Sequence, residues 1–193
     1  TQSTVQDWPG RIGYWAVGVP PSGPMDDRAL RLGNRLLDTP AGAPALHVTL
    51  RGPTLRFFAA AVIAVTGAAI PFSIDGAAQP MNTTVFVPEG ARVELGTIAG
   101  AGARSYLCVR GGFDLPAYLG SRSTFTLGQF GGHGGRALRA GDVLRLHPLA
   151  DPQAGAQLLP ALVPESGPLR RLRVIYGPHG APEYFTPRYI EQF

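Results

Sequence analysis

Apolar and polar residues follow two different periods along the chain. Near the N-terminus the apolar positions recur at helical spacing, at Ala29, Leu30, Gly33, Leu36 and Leu37. Asp26 or Asp27 precedes them as a helix N-cap, and Thr39-Pro40 follows them as a stop signal. This pattern predicts one short helix that ends near Asp38.

From Ala45 onward the apolar positions alternate with polar ones, which is the pattern of half-buried strands. Turn signals with glycine or proline interrupt the alternation roughly every eight to twelve residues, and Asp75-Gly76 has the composition of a two-residue hairpin turn. Many short strands with a single helix favour an antiparallel β-barrel or sandwich. The predicted strands cover residues 4–7, 13–17, 45–51, 54–58, 62–66, 72–74, 84–87, 92–95, 105–110, 142–146 and 172–176.

The domain organisation follows from a change in composition after Leu149, where Pro, Ala, Gly and Gln dominate. We expect a β domain over residues 1–148, a linker or long loop over 149–170, and the start of a second β subdomain over 171–193. Thr186-Pro187 resembles an N-cap followed by proline in the first helical turn. The sequence ends at Phe193, within about one turn of the start of that helix. We therefore expect the sequence to be a piece of a longer polypeptide.

Composition excludes several classes of function. All 17 basic residues are arginine, so a Walker-type phosphate loop, a Schiff base and lysine-linked biotin cannot be formed by this chain. The net charge of +4 is spread along the chain, and no aromatic platform accompanies the cluster Arg170, Arg171 and Arg173, so no nucleic-acid partner is expected. Cys108 is the single cysteine and favours a reducing, cytoplasmic setting. The longest apolar run, residues 57–65, is far shorter than the ~20 residues that span a bilayer, so no membrane partner is expected.

The stretch from Tyr118 to Arg136 combines glycines with arginine, hydroxyl, glutamine and histidine side chains. Few of these residues suit an apolar core, and so many glycines favour tight turns or close approach of the backbone to a ligand. The stretch therefore predicts a ligand or partner site, with a purely structural loop as the alternative.

Individual side chains in and near this stretch allow two interpretations each. His133 and His179 could act as general acid or base, or could be solvated loop histidines. Arg122 could bind a carboxylate or carbonyl, or could be bonded to backbone in a turn. Asp114 could orient a basic group or cap the turn that follows it. No metal site is predicted, because no ligand spacing relates the four histidines His47, His133, His147 and His179.

Several motifs along the chain resemble the allophanate hydrolase subunit 2 family, which includes Kip-type antagonists, a bacterial 5-oxoprolinase subunit and half of the carboxyltransferase domain of urea carboxylase. Two segments, Gly128-Gln129-Phe130-Gly131-Gly132-His133-Gly134-Gly135-Arg136 and Tyr176-Gly177-Pro178-His179-Gly180-Ala181-Pro182, are most similar to the urea carboxylase branch. The family motifs are Thr4-Val5-Gln6-Asp7, Pro9-Gly10-Arg11, Gly18-Val19-Pro20, Ser22-Gly23-Pro24-Met25-Asp26, Gly52-Pro53-Thr54-Leu55, Thr66-Gly67-Ala68, Gly111-Gly112-Phe113-Asp114 and Leu119-Gly120-Ser121-Arg122-Ser123-Thr124.

This resemblance implies a cyclophilin-like antiparallel β-barrel that is truncated before the rest of the carboxyltransferase domain. It also implies an enzyme that moves a carboxyl group from carboxybiotin to urea and gives allophanate. Biotin would be carried on a separate carrier domain, and a biotin carboxylase domain would use ATP and bicarbonate. The partners would be these two domains and the other half of the transferase domain, and we expect the fragment alone to be inactive.

Such a reaction needs donors for the ureido carbonyl of biotin and for the moving carboxyl group, because charge develops there. The residues of suitable type are Arg122, Ser123, Gln129, Gly131, Gly132 and His133. His179 and Asp114 are further candidates for holding urea, and His133 or His179 is the candidate proton acceptor.

Two other functions remain open from the sequence. The chain could belong to a 5-oxoprolinase or an allophanate hydrolase as one of its subunits, or could be a non-catalytic Kip-like regulator of a histidine kinase. Within the carboxylase interpretation, urea and a guanidine derivative remain alternative substrates.

Overall fold

The structure is a computed structural model that describes residues 2–164, 175 and 186–192. Its helices are α1 (Asp27–Leu36) and α2 (Pro187–Gln192). Its strands are β1 (Gln2–Gln6), β2 (Ala45–Thr49), β3 (Thr54–Arg56), β4 (Ala61–Gly67), β5 (Phe72–Ile74), β6 (Ala77–Gln79), β7 (Thr84–Val87), β8 (Arg92–Leu95), β9 (Arg104–Val109), β10 (Phe113–Asp114) and β11 (Arg145–Leu146).

The strands form antiparallel sheets, as the alternation of apolar residues predicts. One sheet has five strands in the order β1-β2-β9-β4-β7, and a second has four in the order β3-β8-β5-β6. Strands β10 and β11 form a separate pair. The prediction of an all-β antiparallel fold with one short N-terminal helix is confirmed, although no ladder among the described strands closes these sheets into a single barrel.

The main core lies between the two larger sheets. Leu46, Ile63 and Leu107 of the five-stranded sheet share one buried cluster with Phe72 and Val93 of the four-stranded sheet. Complete burial of an aliphatic side chain of this size contributes about 1.5–3 kcal/mol, so this cluster holds the two sheets together. Because the inner faces of the two sheets are buried in this core, the edges and connecting loops of the sheets are the surfaces that remain available for function.

Helix α1 packs on the opposite face of the five-stranded sheet. Asp26 caps it by accepting a hydrogen bond from the Ala29 amide at 3.0 Å, which confirms the predicted N-cap. Gly33 allows close approach, because a methyl group there would lie 2.7 Å from Cys108 Sγ. Burial raises the pKa of the Cys108 thiol to about 12, which makes it an unreactive thiol.

Some predicted elements differ from the structure. Residues 13–17 do not form a strand but end in a 3-10 turn, Trp15–Val17, in which the Val17 amide donates to the Tyr14 carbonyl at 3.1 Å. Of the strand predicted over 142–146, only β11 forms, since the Asp142 carboxylate accepts hydrogen bonds from Arg136 and from the Arg139 amide instead. Strands β6 and β10 were not predicted, whereas the helix after Thr186 is confirmed by α2.

The segment that follows β11 contacts the five-stranded sheet. The Thr84 amide donates to the Ala156 carbonyl at 2.8 Å, and Arg110 Nη1 donates to the carbonyls of Asp151 at 2.6 Å and Gln153 at 2.9 Å. The division of the chain at residues 148 and 170 stays a prediction, and most of the strand predicted over 172–176 lies outside the described residues. In the described part of the chain, no helix has the length and apolar character needed to cross a bilayer.

Candidate functional site

The loop that leads into the glycine-rich stretch is anchored on the carboxylate of Asp7, just after β1. Asp7 Oδ1 accepts hydrogen bonds from the hydroxyls of Ser121 and Ser123, each at 2.6 Å. Its other oxygen, Oδ2, accepts the backbone N–H of Arg122 at 2.6 Å. Because the carboxylate is 7% exposed, these charge-assisted bonds replace the water it loses and fix the loop beside β1.

Arg11 provides a second anchor from the same N-terminal segment. Its guanidinium is 1% exposed and donates from Nε to the Tyr118 carbonyl at 3.0 Å and from Nη2 to the Ser123 carbonyl at 2.9 Å. The guanidinium carbon lies 4.8 Å from the centre of the Phe130 ring. Burial lowers the pKa of Arg11 below its ordinary value, and the nearby Asp7 carboxylate partly offsets this, so the side chain stays charged.

A hairpin follows these anchors. The Phe125 amide donates to the Phe130 carbonyl at 2.9 Å, and the turn between them is exposed. Gly131 and Gly132 then pass directly over the anchored loop, with φ of 73° and 52°. A side chain at Gly131 would collide with the Ser123 carbonyl oxygen, and one at Gly132 with Thr124 Oγ1. Both glycines are therefore required by close backbone approach as well as by positive φ.

His133, the next residue, faces a carboxylate that arginine holds in place. Its Nε2 lies 3.5 Å from Asp142 Oδ1. Arg136 donates to both oxygens of Asp142, at 2.7 and 2.8 Å, and the Arg139 amide adds a bond at 2.8 Å. The Arg136 side chain, together with the Arg139 amide, holds the pKa of the Asp142 carboxyl well below its usual range. Asp142 therefore remains an anion beside the imidazole throughout the neutral range.

His133 lines a cleft of about 480 Å³ together with residues from β10, β11 and the chain beside them. Asp114 and Arg145 occupy opposite positions in the β10–β11 pair, and no ion pair joins them among the described residues. The cleft thus offers a carboxylate, a guanidinium and an imidazole to one small molecule. Its full lining is Asp114, Leu115, Pro116, His133, Val143 and Arg145.

The structure brings some of the predicted site residues together. His133 and Asp114 line the same cleft, and Arg122 lies directly behind its wall, where its Nε donates to the Leu115 carbonyl at 2.8 Å. Ser123 is fully buried, and its hydroxyl is bonded to Asp7. Direct contact of Ser123 with a substrate stays a prediction, and it requires a change in these bonds.

The remaining predicted residues are arranged differently. Gly131 and Gly132 immediately precede His133 and pack against the anchored loop, where a larger side chain would collide. Gln129 is exposed at the tip of the hairpin with φ of 57°, and Gly135 packs against its backbone. His179 lies outside the described residues. No group of three or more potential metal ligands occurs among the described residues.

Four residues that shape the site were not predicted from the sequence. Asp7 and Arg11 act across more than a hundred residues of chain, so no local pattern signals their contacts. Asp142 and Arg145 were assigned to a predicted strand and were not considered for chemistry. The available signal was charge, because Asp142 and Arg145 stand in a segment otherwise rich in apolar residues.

Comparison with known proteins agrees with the predicted resemblance. Residues 17–193 match the family described as carboxyltransferase domain, subdomain A and B. The chain is 44% identical over 198 residues to urea amidolyase of Saccharomyces cerevisiae, covering 99% of this chain and 11% of that relative. It is 40% identical over 150 residues to a 5-oxoprolinase subunit of Haemophilus influenzae, covering 75% of this chain and 46% of that relative.

A solved structure gives the same result. The crystal structure of Kluyveromyces lactis urea carboxylase is similar with a TM-score of 0.87 at 41% identity, covering 100% of this chain and 18% of that chain. The resemblance predicted from the motifs is thereby confirmed. The chain spans about a tenth of the length of the urea amidolyase that it matches, namely 11%.

Proposed function

The chain belongs to the carboxyltransferase domain family, subdomains A and B, and from this membership we propose that it forms part of the transferase domain of a biotin-dependent urea carboxylase. In the proposed reaction a carboxyl group moves from carboxybiotin to a nitrogen of urea, which gives allophanate. Biotin arrives on a carrier domain, and a biotin carboxylase domain uses ATP and bicarbonate in the same cytoplasmic protein. The other half of the transferase domain completes the site.

The observation that carries this proposal is the cleft in which His133 stands with Asp114 and Arg145. Urea is small and neutral, so a site for it needs acceptors for its N–H groups and a donor for its carbonyl oxygen. Asp114 supplies the acceptor, and Arg145 supplies the donor. The volume of about 480 Å³ leaves room for urea beside a second reacting group.

The residues of this region also suit biotin chemistry. When bound, carboxybiotin supplies the carboxyl group that is moved, and it presents a carboxylate and a ureido carbonyl as acceptors. Arg145 is a donor of the required kind, and Arg122 adds a positive charge behind the wall. Donors preorganised where negative charge develops are the largest contribution in many acyl-transfer sites.

His133 is the proposed proton acceptor for the attacking urea nitrogen. The Asp142 anion, which Arg136 holds in place, lies 3.5 Å from His133 Nε2. It favours a ring orientation in which Nε2 faces Asp142 and the other ring nitrogen is free to accept a proton. Ser123, Gly131 and Gly132 keep their proposed part in the site as the support of the loop that carries His133. Gln129 and His179 remain proposed contacts of substrate or biotin, with His179 the second candidate for the base.

The first test measures carboxyl transfer to urea in the longer protein that contains this chain, using His133→Asn. We expect the turnover of transfer to fall about 100-fold, since a positioned general base contributes on the order of 10²–10⁴-fold. Carboxylation of biotin should be unchanged. His147→Asn is the matched control, because His147 is an exposed histidine outside the cleft.

Two outcomes would contradict the assignment. Full transfer by His133→Asn would move the base to His179, and full transfer by the double variant would exclude both histidines. If the unaltered protein carboxylates guanidine derivatives but not urea, the cleft keeps its proposed role and the proposed substrate becomes a guanidine derivative.

A second candidate function is favoured by the similarity to the Haemophilus influenzae 5-oxoprolinase subunit over 75% of the chain. In that case the chain would act with separate subunits of a 5-oxoprolinase. Assay of the purified assembly with 5-oxoproline in place of urea distinguishes the two functions.

A further inference from the structure

A second concave surface lies at the seam between the two larger sheets and adjoins the His133 cleft, with which it shares Val143. It is a groove of about 1000 Å³ that runs between the edge strands β1 and β3. Its floor is apolar and continuous with the core, because the partly buried Leu55, Leu144 and Leu146 line it and pack against the buried cluster. An apolar floor open to solvent at a sheet edge is a common feature of a binding surface.

The edge of β3 beside this groove has unused backbone groups. β3 pairs with β8, and Leu95 N–H donates to the Pro53 carbonyl while Phe57 N–H donates to the Ala91 carbonyl. In an antiparallel ladder these bonds alternate, so the N–H and C=O groups of Thr54 and Arg56 point away from β8. No backbone hydrogen bond in the described part of the chain uses them outside that pair.

The other sheet edges differ from β3. The outer edge of β1 is bonded to Thr124 and Leu138, and β7 is bonded to residues 155 and 156. β6 has an outer edge too, but it presents only Ala77, Ala78 and Gln79 and carries no charge. β3 is therefore the open edge that combines a groove with charged side chains.

The rim of the groove is basic. Arg51, Arg56 and Arg139 line it, and none of them forms an ion pair with a described residue. The one acidic residue in the lining, Asp142, is already bonded to Arg136 and to the Arg139 amide. Phe58 is 71% exposed at the same rim. The surface thus combines apolar contact area with uncompensated positive charge.

We propose that the β3 edge binds an extended peptide segment of a partner protein, in which apolar residues alternate with acidic ones. Such a segment would add as a fifth strand to the four-stranded sheet. Side chains of a strand alternate between the two faces, so residues opposite Leu55 enter the apolar groove. Residues opposite Thr54 and Arg56 lie on the outer face, where a glutamate or aspartate opposite Arg56 pairs with its guanidinium.

The test is fluorescence anisotropy of a labelled eight-residue peptide of alternating valine and glutamate, titrated with the longer protein that contains this chain. A peptide of alternating valine and lysine has the same alternation and the opposite charge. We expect binding of the first peptide and none of the second. Equal binding of both, or binding of neither, would overturn the proposal.

Two pairs of variants locate the binding. Arg56→Glu should weaken the valine–glutamate peptide about tenfold, because an attractive cross-strand pair becomes repulsive. Arg35→Glu, on the exposed face of α1, should leave binding unchanged. Thr54→Pro removes an outward N–H without breaking a bond to β8 and should also weaken binding, whereas Ala78→Pro on β6 should not.

Circular dichroism of each variant separates lost binding from lost folding. Sedimentation of the same protein without peptide tests whether a second copy occupies the groove. A dimer that Arg56→Glu dissociates would assign the edge to self-association and overturn the peptide proposal. The test does not depend on transfer activity, so it stands or fails separately from the proposed carboxylase function.

Discussion

At the scale of single residues, the carboxylate of Asp7 anchors the loop that leads into the candidate site. Two hydroxyls and one backbone N–H converge on it, and the loop that they fix carries the glycine-rich hairpin. Arg11 binds carbonyls of the same loop from the same side. The position of His133 thus depends on residues of the N-terminal segment that do not line its cleft.

Replacing Asp7 by Asn tests this dependence. The amide keeps one acceptor oxygen but places an NH₂ group against a hydroxyl or a backbone donor, so at least one buried partner loses its bond. We expect the free energy of unfolding in urea to fall by about 2–3 kcal/mol. Asp38→Asn is the control, since Asp38 is exposed and accepts no side-chain hydrogen bond among the described residues. Equal loss in both variants would contradict the anchoring role of Asp7.

The same residues show where sequence reasoning reaches its limit. The glycine-rich stretch was identified as a site from composition, and His133 and Asp114 do line one cleft. Ser123 was expected to face a ligand because hydroxyls suit that role. Its bond to Asp7 instead joins positions 116 residues apart, which no local pattern specifies.

At the scale of elements, helix α1 approaches the five-stranded sheet through a glycine. Gly33 faces Cys108 and Thr66, and Thr66 Oγ1 donates to the Ala29 carbonyl at 2.8 Å. The hydroxyl and the thiol therefore lie directly under the helix backbone. A change in the size of one side chain here alters the distance between the helix and the sheet.

Gly33→Ala should destabilise the protein although alanine is the better helix former. The preference for alanine contributes roughly 1 kcal/mol in favour of the variant. Its methyl group would lie 2.7 Å from Cys108 Sγ and 3.0 Å from Thr66 Oγ1, however. Because overpacking of a core costs about 1–3 kcal/mol, we expect a net loss of up to about 2 kcal/mol in urea unfolding.

A double variant provides the control for this prediction. Cys108→Ala removes the sulfur that the new methyl group meets, so Gly33→Ala should cost less in that background than alone. Additive costs in the two variants would show that the sulfur is not the obstacle.

Elements were predicted well where capping and periodicity agree. Asp26, the spacing of Leu30 and Gly33, and Thr39-Pro40 together specified α1, and alternation specified most strands. Residues 13–17 were misjudged because their bonds are local, with the Val17 and Val19 amides both donating to the Tyr14 carbonyl. Strands β6 and β10, with the sequences Ala-Ala-Gln and Phe-Asp, contain no full alternation of apolar and polar residues from which a strand could be predicted.

At the scale of the whole molecule, His47 makes folding sensitive to acid. It lies on β2, its ring stacks on Tyr106 at 5.1 Å, and its Nε2 is buried without a partner among the described residues. Burial, reinforced by the positive charge of Arg104, lowers the pKa of His47 to about 4. Protonation of this ring in the folded protein is therefore unfavourable.

The stability of the protein should fall as the pH is lowered from 7 to 5. The unfolded chain takes up a proton on His47 near its ordinary pKa of about 6.5, whereas the folded chain does so only near 4. Between pH 7 and pH 5 the unfolded state therefore binds more protons than the folded state. This difference lowers the free energy of unfolding by about 2 kcal/mol at pH 5. Urea unfolding at pH 7, 6 and 5 measures the loss.

Histidine variants isolate the contribution of His47. His47→Gln should remove the acid sensitivity in this window, whereas His147→Gln, at an exposed site, should retain it. The Asp142 carboxyl does not interfere, because its pKa lies below its usual range and its titration falls under this window. An unchanged slope in His47→Gln would contradict the prediction.

The close packing of Gly131 and Gly132 over Ser123 and Thr124 also governs how this chain can diversify. Any side chain at these two glycines meets a backbone carbonyl or a buried hydroxyl, so the base of the hairpin cannot vary. Its tip can vary, since Leu127 is 88% exposed. During evolution, substitutions at the tip can therefore change what the hairpin contacts, while the base stays the same. The binding specificity of the hairpin can change without any change in its backbone structure.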